Sequence, residues 1–323
     1  MKWGSPRRRT VLGAGASGLL VGAAQDRLRL GLVQSGTVQW IAAVIAGRHL
    51  DPDIVPVPLA NTDAARVALL AGSVDVAVSD WPFVAVQRAA GRNLVFAPLS
   101  SSTGAIMVPA GSPIRTLADL RGQRLGVAGG PTDKSWLVVR AAARRAYGLD
   151  LAQAATLSFG APPLLGAKLQ QGELNAVLTF WNFAARLEAA GCRAAITVAQ
   201  CARILGLPGA PFLVGYVFNQ DWARAHKAAI TRFLGAASQA ADILVHDPAA
   251  WAAVRPLMDA PDDTVFANLK QRFIAGIGHP DAATQTRDAA ALLAVVLAAG
   301  GPKAAGGLVS LPKGVFWQGE DAG

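Results

Sequence analysis

Eight consecutive residues, Gly129-Gly130-Pro131-Thr132-Asp133-Lys134-Ser135-Trp136, gather a glycine pair, a helix start, a cation and an indole ring. The glycines let a ligand approach the main chain closely. Pro131 and Thr132 suit the start of a helix, and Asp133 can cap it. Lys134 then falls in the first helical turn, where the helix dipole disfavours a cation. A cation kept at that cost points to an anionic guest. The plain alternative is a solvated lysine on a turn, with Asp133 as a simple cap. The chemistry implied is capture rather than turnover. The four histidines (His49, His226, His246, His279) are isolated, and neither G-x-S-x-G nor H-E-x-x-H occurs. We therefore expect no catalytic residue, no metal site and no enzymatic activity.

Polar and aromatic residues recur where strands are expected to end. Gln34, Ser35 and Thr37 follow the first apolar run, with Trp40 just beyond. Ser79-Asp80-Trp81 and Phe180-Trp181-Asn182 follow two others, and Ser102 and Thr103 stand near a chain crossing. Such ends offer free N–H groups and a positive dipole to an anion. Trp81 and Trp181 occupy matched positions, so they are either opposed stacking plates or two core indoles. Trp136 reads more naturally as core, while Trp40 and Tyr216 fit either role. All of these are carried as candidate ligand contacts.

Positioning these residues requires repeated β-α units. Strands are expected over 28–33, 54–58, 74–79 and 94–98, with helices over 38–46, 64–71 and 83–90 between and after them. A second series follows, with strands over 124–128, 156–159 and 176–179 and helices over 133–147, 163–171 and 184–190. A last strand over 212–218 precedes a mainly helical end, and the Gly300-Gly301 and Gly306-Gly307 pairs mark a loosening tail. One series inserted in the other gives an α/β protein of two doubly wound sheets. The lobes are expected over 26–107 with 213–323, and over 108–212. Ligand sites in such folds lie beyond the carboxyl ends of the strands, here in an interlobe cleft.

The 323 residues are 52% hydrophobic and 16% charged, enough for two cores and against disorder. The formal net charge is +9, but Lys2, Arg7, Arg8 and Arg9 crowd the first nine residues and the rest are scattered. No aromatic-basic stripe supports a nucleic-acid partner. Gly13-Ala14-Gly15-Ala16-Ser17-Gly18 matches G-x-G-x-x-G, which would suit a dinucleotide-dependent oxidoreductase. The run lacks a preceding strand, and Asp26 comes too early to bind a ribose. A basic stretch followed by apolar residues to Ala24 reads better as an export signal over 1–25, with Arg8-Arg9-Thr10-Val11-Leu12 resembling the twin-arginine type. The mature chain is then expected in the periplasm, cut near Ala24. There Cys192 and Cys201 would either pair or remain two small buried thiols.

Three stretches carry a family resemblance. They are Leu70-Ala71-Gly72-Ser73-Val74-Asp75-Val76-Ala77, then Asp119-Leu120-Arg121-Gly122-Gln123-Arg124-Leu125-Gly126-Val127 preceded by Ser112-Pro113-Ile114, and Gln171-Gly172-Glu173-Leu174-Asn175-Ala176-Val177. Together they resemble ABC-transporter solute-binding proteins of the nitrate/sulfonate/taurine and NMT1/THI5-like group. The resemblance implies a bilobed type II periplasmic-binding-protein fold, a monomer that closes on a small molecule, and a permease partner in the inner membrane. A narrower likeness, in Gly129–Trp136, Phe159-Gly160-Ala161-Pro162-Pro163-Leu164-Leu165 and Thr179-Phe180-Trp181-Asn182, is to the branch associated with quinoprotein alcohol oxidation. It implies pyrroloquinoline quinone as a transported ligand, with no cofactor required by the protein itself. Lys134 would pair with a quinone carboxylate or add to its carbonyl. The alternatives within the same module are a sulfonate, a taurine-like compound or a thiamine precursor. The cysteine cluster of the yeast-type pyrimidine synthases that share this fold is absent.

Overall fold

A computed structural model describes residues 27–33, 36–131, 133–207 and 212–319. The chain begins with β1 (Leu28–Val33), α1 (Val38–Gly47), β2 (Ile54–Leu59), α2 (Thr62–Leu70), β3 (Val76–Asp80), α3 (Trp81–Ala89) and β4 (Leu94–Ser100). The second series is β5 (Ala105–Pro109), β6 (Arg124–Ala128), α4 (Lys134–Tyr147), α5 (Leu151–Ala154), β7 (Thr156–Gly160), α6 (Pro162–Gln170), β8 (Ala176–Thr179), α7 (Trp181–Ala189), β9 (Cys192–Thr197) and α8 (Val198–Ile204). β10 (Val214–Asn219) then leads into α9 (Gln220–Ala225), α10 (Lys227–His246), α11 (Ala250–Val254), α12 (Asp263–Gly276) and α13 (Ala282–Ala304).

These strands build two five-stranded sheets, ordered β2-β1-β3-β10-β4 and β7-β6-β8-β5-β9. Within each sheet, one strand runs against the others. β10 pairs antiparallel with β3 and β4, and β5 pairs antiparallel with β8 and β9. Both are the strands that have just crossed from the other sheet. β6, β8 and β10 are almost continuously apolar because helices cover both sheet faces. β1 keeps one break in that pattern, the exposed Arg29, whose guanidinium pairs with the buried Asp75 at 2.6 Å.

Local chemistry sets where the helices start. The Asn61 side chain accepts from the Ala64 N–H at 2.9 Å and opens α2, whose Ala65 and Leu69 recur four apart and are buried. Asp133 accepts from the Ser135 and Trp136 N–H groups and opens α4. The first crossing, between β4 and β5, is tight. A β-carbon on Gly104 would lie 1.8 Å from the Thr179 carbonyl oxygen, so only glycine lets the strand pass the end of β8.

Three expectations need correction. The helix expected from residue 184 begins at Trp181. β9 and α8 were not anticipated. Cys192-Arg193-Ala194-Ala195-Ile196-Thr197 has no strict alternation, and it lies at the sheet edge as the outer partner of β5. Nor does the tail loosen. α13 kinks at Gly301, and the chain then returns so that Phe316 bridges Phe96 and Trp317 packs on Phe218 at 5.3 Å. Non-local ring contacts hold this tail, so its glycines are a poor guide to it. The export signal expected over 1–25 lies outside the described residues. Among those described, no helix is long and apolar enough to cross a membrane. Cys192 and Cys201 are free thiols, and burial pushes Cys201 up to about 12.

Candidate functional site

The carboxyl ends of strands from both sheets open onto one cleft of about 620 Å³. Five helices begin at its walls. α1 and α2 contribute Thr37, Val38, Asn61 and Thr62 from the first sheet. α4, α6 and α7 contribute Lys134, Ser135, Pro162, Pro163, Trp181 and Asn182 from the second. The crossing segments close the base with Ser102, Thr103, Gly104, Leu213 and Val214.

The five helix starts are not equivalent. Side chains already cap α2 and α4. α6 begins with Pro162 and Pro163, which have no N–H to give, so its start is an apolar wall. No side chain caps α1 or α7 among the described residues. Both of these uncapped starts line the cleft, one from each sheet. Phe180, Trp181 and Phe183 lie beside the α7 start and supply aromatic surface.

Lys134 is the one charged residue that lines the cleft among those described. Its Nζ lies 3.2 Å from Oδ2 of Asp80, which is carried by the opposite sheet. The same oxygen receives Arg66 Nη2 at 2.9 Å, while Oδ1 accepts the Phe83 N–H and caps α3. Burial alone would raise Asp80 and lower Lys134, but the ion pairing outweighs it in both. The attraction of Lys134 and Arg66 holds the Asp80 carboxyl below its ordinary range. Asp80 and Asp133 together hold the Lys134 ammonium above its own. Lys134 is therefore a charged donor in this arrangement. Asp133 itself is raised, by its burial.

The structure brings together Thr37, Ser102, Thr103, Lys134, Phe180, Trp181 and Asn182. Gln34, Ser35 and Thr132 lie outside the described residues. The other candidates do not line the cleft. Trp81 is 3% exposed and packs against Phe316 at 6.4 Å, so it is core, and the pair of opposed indole plates does not exist. The returning tail covers Trp81, a contact that no local pattern announces. Trp136 is fully buried against Phe159. Tyr216 is buried against Phe233 at 4.9 Å, and its hydroxyl has no partner among the described residues. Trp40 is buried edge-on to Trp181 at 6.1 Å and supports that wall from behind. Asp133 is the α4 cap, and Asp80 pairs with Lys134.

Sequence reasoning missed Asn61, Thr62 and the Ala161–Pro163 turn as wall residues. The rule that found the others, polar or aromatic residues at a strand's carboxyl end, applies equally to the ends of β2 and β7. A second cavity, of about 590 Å³, lies against α9, α10 and the tail, next to the end of β10. Among the described residues no cluster of His, Cys, Asp and Glu can hold a metal ion.

The sequence pattern described as NMT1/THI5 like matches residues 49–251. No curated protein sequence matches the chain. Among solved structures, the periplasmic aliphatic sulphonate binding protein SsuA from Escherichia coli is similar at a TM-score of 0.71 and 22% identity, covering 91% of this chain and 93% of that one. The alkanesulfonate-binding protein SsuA from Xanthomonas axonopodis pv. citri, bound to MOPS, gives 0.66 and 20%, with 91% and 98% covered. An ABC transporter structure from Parabacteroides distasonis gives 0.69 and 14%, with 91% and 100% covered. At these identities the structural likeness speaks to the fold, which is the bilobed periplasmic-binding arrangement of two α/β lobes.

Proposed function

The chain belongs to the NMT1/THI5-like family, and from that premise we propose that it is the exported solute-binding component of an ABC importer. In this reading it takes up an anionic organic solute between its two sheets and delivers it to a membrane permease. It acts in the periplasm, by binding and release, without catalysis.

The observation that carries the reading is the pairing of two uncapped helix starts, α1 and α7, across one cleft that also holds Lys134 and an aromatic wall. Helix N-termini and an ammonium suit carboxylate or sulfonate oxygens. Phe180, Trp181, Phe183 and the donor-free Pro162-Pro163 start suit an apolar or planar body. Within this class we propose pyrroloquinoline quinone as the solute. Its ring system would lie along the Trp181 wall, and its carboxylates would face the helix starts and Lys134.

Titration of purified protein with the quinone tests this. Stoichiometric quenching of tryptophan fluorescence is expected, and no quenching at micromolar quinone refutes the choice of solute. A second reading, an alkanesulfonate, draws support from the likeness to sulfonate-binding proteins. A thermal-shift comparison of the quinone, taurine and MOPS separates the two readings, because the tighter ligand raises the melting temperature more.

A further inference from the structure

Asp80 does not itself line the cleft, yet among the described residues its carboxylate is the one that pairs with the cleft's cation. It stands at the end of β3 in the first sheet, 9% exposed, and Lys134 stands at the start of α4 in the second. Their contact at 3.2 Å therefore joins the two sheets beside the site. Arg66 fixes Asp80 on its own side. It reaches Asp80 at 2.9 Å and Ser79 Oγ at 2.9 Å, and lies over the Phe83 ring at 4.8 Å. Asp80 cannot follow Lys134 if the sheets separate, so opening must break this contact.

We propose that Asp80 is the positioning residue for the solute site: it ties the Lys134 ammonium to the opposite sheet before any solute arrives, and an anionic solute must take that ammonium over. The first half depends only on the contact across the sheets. The second half rests on the solute-binding reading. Two consequences follow. The empty cleft is held partly shut with its ammonium already paired, which disfavours small inorganic anions that cannot also use the aromatic wall. A solute carrying its own carboxylate or sulfonate gains Lys134 only by displacing Asp80, so part of its attraction is offset.

The Asp80→Asn variant isolates this role. Asparagine keeps an oxygen for the Phe83 N–H, so α3 stays capped, and Arg66 keeps Ser79 and Phe83. Spin labels placed at Val67→Cys on α2 and Leu164→Cys on α6, both well exposed, report the separation of the cleft walls. Cys192→Ser and Cys201→Ser in the background remove the native thiols. In solute-free protein, we expect a narrow distance distribution for the parent. Asp80→Asn and Lys134→Gln should each give a broader one shifted to longer distance, and the double variant should open no further than either single one. Raised salt should move the parent toward the variants and leave the variants unmoved. Superimposable parent and Asp80→Asn distributions would overturn the proposal, as would a double variant that opens by the sum of the singles.

Calorimetric titration with pyrroloquinoline quinone reads the second half. Asp80→Asn should bind several-fold more tightly than the parent, and weaker binding would overturn it. If no variant binds the quinone while the distances behave as expected, the tie across the sheets stands and the choice of solute falls.

Discussion

Trp81 and Trp181 occupy the same helical position in the two halves of the fold, and the structure predicts opposite consequences for removing them. Trp81 is 3% exposed, covered by Phe316 and surrounded by the larger core. Truncation to alanine there leaves a cavity that the backbone cannot close, at a cost of about 3–5 kcal/mol. Trp181 is half-buried, with one side in the cleft. Its ring contacts are to Trp40 at 6.1 Å and Phe273 at 6.3 Å. Two such pairs are worth roughly 1–3 kcal/mol together, so Trp181→Ala should cost about 2 kcal/mol. In thermal melts the first loss corresponds to a drop on the order of 10 °C and the second to about half that. Calorimetric titration with pyrroloquinoline quinone should show the reverse ranking. Trp81→Ala should retain parental affinity in whatever fraction is folded, and Trp181→Ala should lose at least about tenfold, the equivalent of one stacking contact near 1.4 kcal/mol. Equal destabilisation by the two variants, or loss of binding in Trp81→Ala with retention in Trp181→Ala, would refute the assignment of one indole to the core and the other to the wall.

Removing the Tyr216 hydroxyl should cost nothing: Tyr216→Phe eliminates a buried oxygen without a partner among the described residues, so its melting temperature should equal or exceed the parent's. Gly104→Ala should destabilise by about 1–3 kcal/mol or more, read by thermal melting, because its β-carbon would overlap the Thr179 carbonyl at 1.8 Å. Acid should weaken the tie across the sheets. Asp80 is held below its ordinary value by Lys134 and Arg66 against the opposing effect of burial, so its contribution is present above about pH 3.9 and is lost as pH falls through its lower folded value. Lys134 is raised by Asp80 and Asp133 against burial, so its contribution is present below about pH 10.4 and is lost as pH rises through its higher folded value. Melting temperatures measured across both windows should fall less steeply for Asp80→Asn than for the parent, and parallel curves would count against the pairing.

Much of the architecture was legible because buried parallel strands leave a strong mark. Apolar runs such as Val76–Asp80 and Arg124–Ala128, each followed by a helix, define β-α units without tertiary information. The rule that sites lie beyond strand ends found Lys134 and Phe180–Asn182 for the same reason. What remained illegible depends on distant contacts. Trp81 and Trp181 both open a helix directly after a buried strand, and the tail, more than 200 residues beyond Trp81, covers the first of them. Lys134 read as an unpaired cation because Asp80 lies 54 positions away on the other sheet. β9 went unseen because an edge strand lacks the continuous burial that marks its neighbours.

The exchange of single strands between the sheets constrains the order in which the protein can assemble. Every strand of the second sheet lies between residues 105 and 197, so that sheet can be completed while the chain is still short. The first sheet has four strands by residue 100, but β3 and β4 cannot be joined until β10, at 214–219, arrives to separate them. A chain halted near residue 200 would therefore carry one finished sheet and one with two exposed edges. The earliest part of the sequence to emerge is the last to become stable.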